Sequence, residues 1–282
     1  MTVRKARTGL CLGRRPFVTG GLAALAMGLR PRGVGAQDKK AAEEAEAPPA
    51  VAAAWDLKFA LPEIVEAFME ETGEAVEVSF GLCQALAQEI RKGAPYQIYL
   101  SADENNALGL ANDGLTPDKG VVYGAGRIAL MVAKDSRLKP DGSLKDLGAA
   151  IGDGRLIRLA IANPALAVFG RSAEQALRKV GLWEPIQPKL VLGETSAQAA
   201  EMSVSENVSG GVIAYPLALA NKRSGLGQIG LIPRELHRPL PQRMIRLNDA
   251  GPIAQEFYAY LQQPAARAIL RKFGFYLDEE TR

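Results

Sequence analysis

The chain predicts an α/β fold of two lobes, each a mixed, mostly parallel sheet flanked by helices, joined by a two-strand hinge. Three observations carry that expectation. Strand-like and helix-like segments alternate from Ala50 onward, the pattern of strand–helix–strand units. Several of the strand candidates are short continuous apolar runs, as in sheets covered on both faces. One long apolar run, Arg127–Val132, stands between two such sets of segments.

Taken in order, Val51–Ala54 reads as a short buried strand. Leu57, Ala60, Leu61, Ile64, Val65 and Phe68 follow at helical spacing, and Thr72-Gly73 stops that helix. Val76–Phe80 alternates as a second strand, and Gly81 opens a helix carrying Leu82, Leu86 and Ile90. Ile98–Ser101 is a third strand, with a helix from Asn105 to Ala111. The second set comprises Leu159–Ala162, a helix from Ser172 to Val180, the strand Lys189–Leu192, a helix beginning near Ser196, and the strand Gly211–Ala214. Arg243–Leu247 is read as a further strand before a long amphipathic helix with Ile253, Phe257, Tyr260 and Leu261. With 127–132 and 243–247 as the crossings, lobe I is residues 50–127 plus 246–282, lobe II is residues 128–245, and the cleft lies between them.

Residues 1–36 have a different character. A basic start, the pair Arg14-Arg15 and an apolar stretch from Phe17 to Leu29, too short to span a bilayer comfortably, read as a targeting signal. Gly13–Val18 looks like a twin-arginine export signal, and Val34-Gly35-Ala36 supplies the small residues of a cleavage site. A periplasmic location follows as an expectation. This segment holds seven of the 34 Lys and Arg and none of the 31 acids, so the remainder has 27 bases against 31 acids and a net charge of −4. The basic balance therefore belongs to the signal, and nucleic acid is not an expected partner. Residues 37–49, charged, Ala-rich and ending in Pro48-Pro49, read as a flexible tether.

Cysteine and histidine usage narrows the chemistry. Cys11 lies in the signal, Cys83 is the other thiol, and His237 is the sole histidine. No Cys/His cluster for zinc can be assembled, and no metal is expected to be held directly by protein side chains. His237 sits in a loop-like Arg-Glu-Leu-His-Arg-Pro, and the chain has no nucleophile elbow or P-loop. We therefore expect no enzyme, no catalytic residue and no cofactor.

In open α/β sheets ligands bind beyond the carboxyl ends of the strands, where helix starts present free N–H groups that favour anions. The candidate turns are Ala54-Trp55-Asp56, Gly81-Leu82-Cys83, Ala167–Gly170, Glu194-Thr195-Ser196 and Ala214-Tyr215-Pro216. Asp56 and Lys58 are read as a capping acid and a solvated helix charge.

From about Val51 to Tyr276 the chain carries AAAWDLKFALPEI (52–64), VSFGLCQALAQEIRKGAP (78–95), LSADE (100–104), ANPALAVFGRSAEQAL (162–177), GLWEPIQPKLVLGE (181–194) and ILRKFGF (269–275). In order and spacing these stretches resemble the periplasmic molybdate-binding proteins. The resemblance implies a type II periplasmic binding protein fold and an oxyanion, molybdate or tungstate, held by neutral hydroxyl and amide donors. It also implies delivery to an ABC permease at the inner membrane, and a monomer is expected. Against the family pattern, Trp55 stands where a Ser is usual, Leu82-Cys83 replace Ser-Ser, and Val168-Phe169 replace Pro-Ala or Pro-Tyr. The expected ligand-binding residues are Trp55, Cys83, Phe169, Ser196 and Tyr215. Two alternatives accompany this reading: a cleft remodelled for a larger, partly apolar molecule, and a non-transport docking protein whose cleft is plugged by Trp55.

Overall fold

The structure, a computed structural model, describes residues 47–277. The targeting signal read at 1–36 and residues 37–46 of the tether lie outside the described residues.

Two five-stranded mixed sheets organise the described chain. The first runs β2-β1-β3-β10-β4, with β1 Ala50–Ala54, β2 Glu77–Gly81, β3 Tyr96–Ser101, β4 Val121–Ala125 and β10 Pro241–Arg246. The second runs β7-β6-β8-β5-β9, with β5 Ile128–Ala133, β6 Leu159–Ala162, β7 Leu190–Gly193, β8 Gly210–Ala214 and β9 Gly227–Leu231. Helices α1 Ala60–Thr72, α2 Cys83–Arg91, α3 Glu104–Asn112, α9 Pro252–Tyr260 and α10 Pro264–Lys272 accompany the strands of the first sheet in the chain. Helices α4 Lys145–Gly152, α5 Val168–Lys179, α6 Trp183–Ile186, α7 Ser196–Met202 and α8 Tyr215–Arg223 accompany those of the second.

Local chemistry explains these elements. β1 is AVAAA, buried along nearly its whole length, because small side chains let layers approach both faces of a central parallel strand. Helix α1 buries Ala60, Leu61, Ile64 and Phe68 and ends where Gly73 takes φ +80° and donates to the Met69 carbonyl at 2.9 Å, a left-handed cap that glycine adopts without Cβ strain. Phe68 meets Phe257 and Tyr260 edge-on at 5.0 and 5.3 Å, which docks α9 onto α1. The amphipathic helix read with Ile253, Phe257, Tyr260 and Leu261 is α9, with Leu261 as its C-cap, and Pro264, which lacks the N–H that a continuing helix needs, serves as the first residue of the separate α10.

Each sheet has two parallel and two antiparallel pairings, so the sheets are less parallel than the strand–helix alternation suggested. The reason is symmetrical. β5 enters the second sheet and β10 the first directly after a passage between the sheets, starting at the end where their neighbours β8 and β3 finish. The first passage is the pair Gly126-Arg127 and the second is the stretch 232–240, ahead of β10, whose last four residues pair antiparallel with β3. Strands β4 and β9 and helices α4 and α8 were not announced by the apolar pattern. β9, GQIGL, shows why: Gly227 stands where a Cβ would lie 2.0 Å from the Val132 carbonyl oxygen, so close approach rather than hydrophobicity selects its residues.

One glycine positions the functional end of the molecule. A Cβ on Gly170, in the first turn of α5, would sit 2.2 Å from the Ala162 carbonyl oxygen at the end of β6. Helix α5 therefore rests directly on the strand backbone. Gly170→Ala should destabilise the protein by about 1–3 kcal/mol through overpacking, although the same change in an open helix interior favours folding. Urea unfolding checks this; a variant as stable as its parent would mean that α5 does not depend on that contact.

Candidate functional site

Parallel register brings the strand ends level. Ala54 pairs with Gly81 and Ala53 with Leu100 in the first sheet, and Ala162 pairs with Gly193 in the second. Beyond these ends lies one cavity of about 90 Å³, lined from the first sheet's side by the starts of the 3-10 turn Trp55–Leu57, α2 and α3, and from the second's by the starts of α5 and α7. A single water needs roughly 10–15 Å³ on this scale and a benzene-sized cavity is about 150 Å³, so the space suits a compact ligand of a few heavy atoms.

Several of these helix starts lack a side-chain cap. Ala54, Leu82 and Ala167 precede the 3-10 turn, α2 and α5 with no side-chain bond to the first-turn amides. Their N–H groups and the positive ends of their peptide dipoles therefore remain available at the cavity. At α7 the Thr195 side chain caps Gln198 N at 3.0 Å, and Ser196, the next residue, lines the cavity. Buried hydroxyls brace the first wall: Tyr99 donates to the Cys83 carbonyl at 2.7 Å and lies 3.0 Å from Ser101 Oγ, which donates to the Asp103 carbonyl at 2.7 Å.

Two acids also line the cavity. Asp103 meets Arg171 of α5 at 2.5 Å, an ion pair from one sheet's side to the other's, and Lys58 reaches Glu201 of α7 at 3.2 Å in the same sense. Asp56 is different. It is 1% exposed; Gln242 of β10 donates to its Oδ2 at 2.6 Å, while Oδ1 has no partner among the described residues. Loss of water pushes its carboxyl up to about 6, an effect the Gln242 bond reduces but does not cancel. The expectation of a capping acid is thus corrected: the 3-10 turn points Asp56 inward because Trp55 and Asp56 sit directly on the end of a fully buried strand. No periodicity marks such a residue; its only sequence signal is an acid adjoining an apolar run.

Of the five expected ligand-binding residues, Trp55, Cys83, Phe169 and Ser196 line this one cavity. Trp55 stacks on Phe80 at 5.8 Å, which holds its ring against the first wall so that it borders the cavity instead of filling it. Cys83 is half-buried and a free thiol, and burial raises its proton affinity. Phe169 is buried against the Gly126 backbone. Tyr215 does not line the cavity. Antiparallel pairing of β8 with β5 carries the end of β8 to the first passage, where the Tyr215 N–H donates to the Arg127 carbonyl at 2.8 Å and its ring lies over Gly274. Gln84, Asn106, Leu166 and Arg171, which also line the cavity, were not singled out from the sequence.

His237 lies in the second passage, buried, with Nδ1 2.7 Å from the Arg238 carbonyl and burial lowering its proton affinity; it does not line the cavity. Among the described residues no three His, Cys, Asp or Glu side chains gather as a metal-ligand set, and no helix is long and apolar enough to cross a membrane.

Comparison with known proteins agrees with the two-sheet fold. The family model of the bacterial extracellular solute-binding proteins matches residues 49–276. The molybdate-binding protein ModA of Azotobacter vinelandii is 31% identical over 241 residues, covering 84% of this chain and 92% of that one. ModA of Rhodobacter capsulatus is 30% identical over 216 residues, 76% of this chain and 82% of that one. Among solved structures, the Azotobacter vinelandii periplasmic molybdate-binding protein superposes with a TM-score of 0.74 at 25% identity, covering 82% of this chain and 99% of that one.

The state of Asp56 has a consequence for stability. Its carboxyl is held above the ordinary 3.8, so its favourable contribution is complete below that pH and is lost as pH rises through about 6. Asp56→Asn removes this loss, and the variant should gain on its parent by on the order of 3 kcal/mol between pH 4 and pH 7. Urea unfolding of both proteins across that range measures the gap; parallel pH profiles would contradict an ionisable, desolvated Asp56.

Proposed function

From the premise that the chain belongs to the bacterial extracellular solute-binding proteins, we propose that its ligand is a small tetrahedral oxyanion, molybdate or tungstate. On this reading it acts as a monomer in the periplasm, binds without catalysing, and delivers the oxyanion to an ABC permease at the inner membrane. The twin-arginine signal read at Arg14-Arg15 is the proposed export route. Molybdate is the ligand named for the relatives in Rhodobacter capsulatus and Azotobacter vinelandii.

The observation that carries the proposal is the ring of uncapped helix starts around one compact cavity. A tetrahedral anion accepts hydrogen bonds in many directions, and N–H donors aligned with helix dipoles stabilise it without a formal counter-charge. Each bond to a charged acceptor contributes roughly 1.5–3 kcal/mol, so a few such amides and the Ser196 hydroxyl suffice for specific binding. Because donors come from both sheets, a bound anion ties the two halves together, and closure about residues 126–127 and 232–240 is the proposed way in which ligand is signalled to the permease. The volume of about 90 Å³ favours this reading over a larger apolar ligand, despite the aromatic and aliphatic surface of Trp55, Leu82 and Phe169.

Isothermal titration with molybdate, tungstate and sulfate tests the proposal. Molybdate and tungstate should bind with one site per chain and raise the midpoint of thermal unfolding by mass action. Absence of heat and of any thermal shift at millimolar oxyanion would reject it.

A further inference from the structure

The cavity that the helix starts make favourable for an anion also contains a feature opposed to it. Asp56 is a lining residue whose carboxyl is buried, clasped at Oδ2 by a neutral amide and free at Oδ1. The second lining acid, Asp103, has its charge offset by Arg171. An ionised Asp56 and a dianion in the same small, desolvated space repel strongly, since screening there is weak. Neutral Asp56 removes the repulsion and adds an O–H donor.

We propose, resting on the oxyanion reading above, that Asp56 makes the cavity a proton-linked site: a tetrahedral dianion enters together with one proton from solvent, which comes to rest on the Asp56 carboxyl. No covalent bond is made or broken to the anion, and the proton returns to solvent on release.

The surroundings leave Asp56 as the group positioned to take that proton. From α2, Cys83 faces it, and from β4, Tyr123; burial raises the proton affinity of both, so they stay neutral. Gln242 of β10 is uncharged. On the 3-10 turn's own flank Lys58 is engaged by Glu201 of α7, and α8, which also packs on that turn, begins with Tyr215, whose phenol is likewise held protonated. The free carboxyl titrates near 6, within reach of ordinary conditions.

Linked binding has a defined slope. Above the titration of free Asp56, affinity for molybdate should fall about tenfold per pH unit, which amounts to about 50-fold between pH 6 and pH 8. Titration of the full chain with micromolar molybdate in pairs of buffers with different ionisation heats should report uptake of about one proton per anion at pH 8. Asp56→Asn should abolish both the slope and the uptake and bind at pH 8 about as tightly as the parent does near pH 6. A flat affinity with no proton uptake in the parent would overturn the inference and leave the oxyanion reading intact. Persistence of the slope in Asp56→Asn would overturn it by assigning the proton elsewhere, for example to His237. No binding of molybdate at any pH would overturn both.

Discussion

Everything at the functional end of the molecule depends on backbone register. Because β1 ends level with β2 and β3, and β6 level with β7, the helix starts that follow them open onto one space. A shift of one residue in β1 would exchange the faces of its side chains and withdraw Trp55 and Asp56 from the cavity together. Small residues protect that register: the alanines of β1 and the glycines at Gly170 and Gly193 allow helices and neighbouring turns to lie against strand ends at distances a Cβ would forbid.

The electrostatics of the cavity is a balance of opposing fields. Uncapped N–H groups at the turns beginning with Trp55, Cys83 and Val168 draw negative charge inward. Asp103 is offset by an ion pair that reaches across from α5, which makes the same contact a clasp between the two halves. Its surface exposure limits its contribution to stability. Asp56, shielded from water, has no such partner among the described contacts. The balance therefore turns on one carboxyl and its proton.

The passages between the sheets lie close to that balance. A Cβ on Gly126 would come within 3.1 Å of the Phe169 ring and 3.2 Å of the Gln242 side-chain nitrogen. Phe169 lines the cavity, and Gln242 holds Asp56. Gly126 thus touches both walls through single side chains, while Arg127, the other residue of the first passage, donates to the Ile232 carbonyl at 2.8 Å in the second. Packing of this kind couples the cavity lining to the segments along which the chain moves from one sheet to the other.

Much of the architecture was legible in the residues alone. Apolar runs such as Leu159–Ala162 and periodic faces such as Leu61, Ile64 and Phe68 specify strand and helix locally, because burial of one face is a property of spacing. The turns after those strands pointed to Trp55, Cys83, Phe169 and Ser196 for the same reason: helix starts at strand ends are written in the order of elements. What only the tertiary structure decided was pairing. The antiparallel entry of β5 and β10, the diversion of Tyr215 to the first passage, and the meeting of Asp56 with Gln242, 186 positions apart, depend on which strands lie side by side. Periodicity specifies which face of a segment is buried but not what it is buried against, and it is the partner that determines whether a carboxyl keeps its charge.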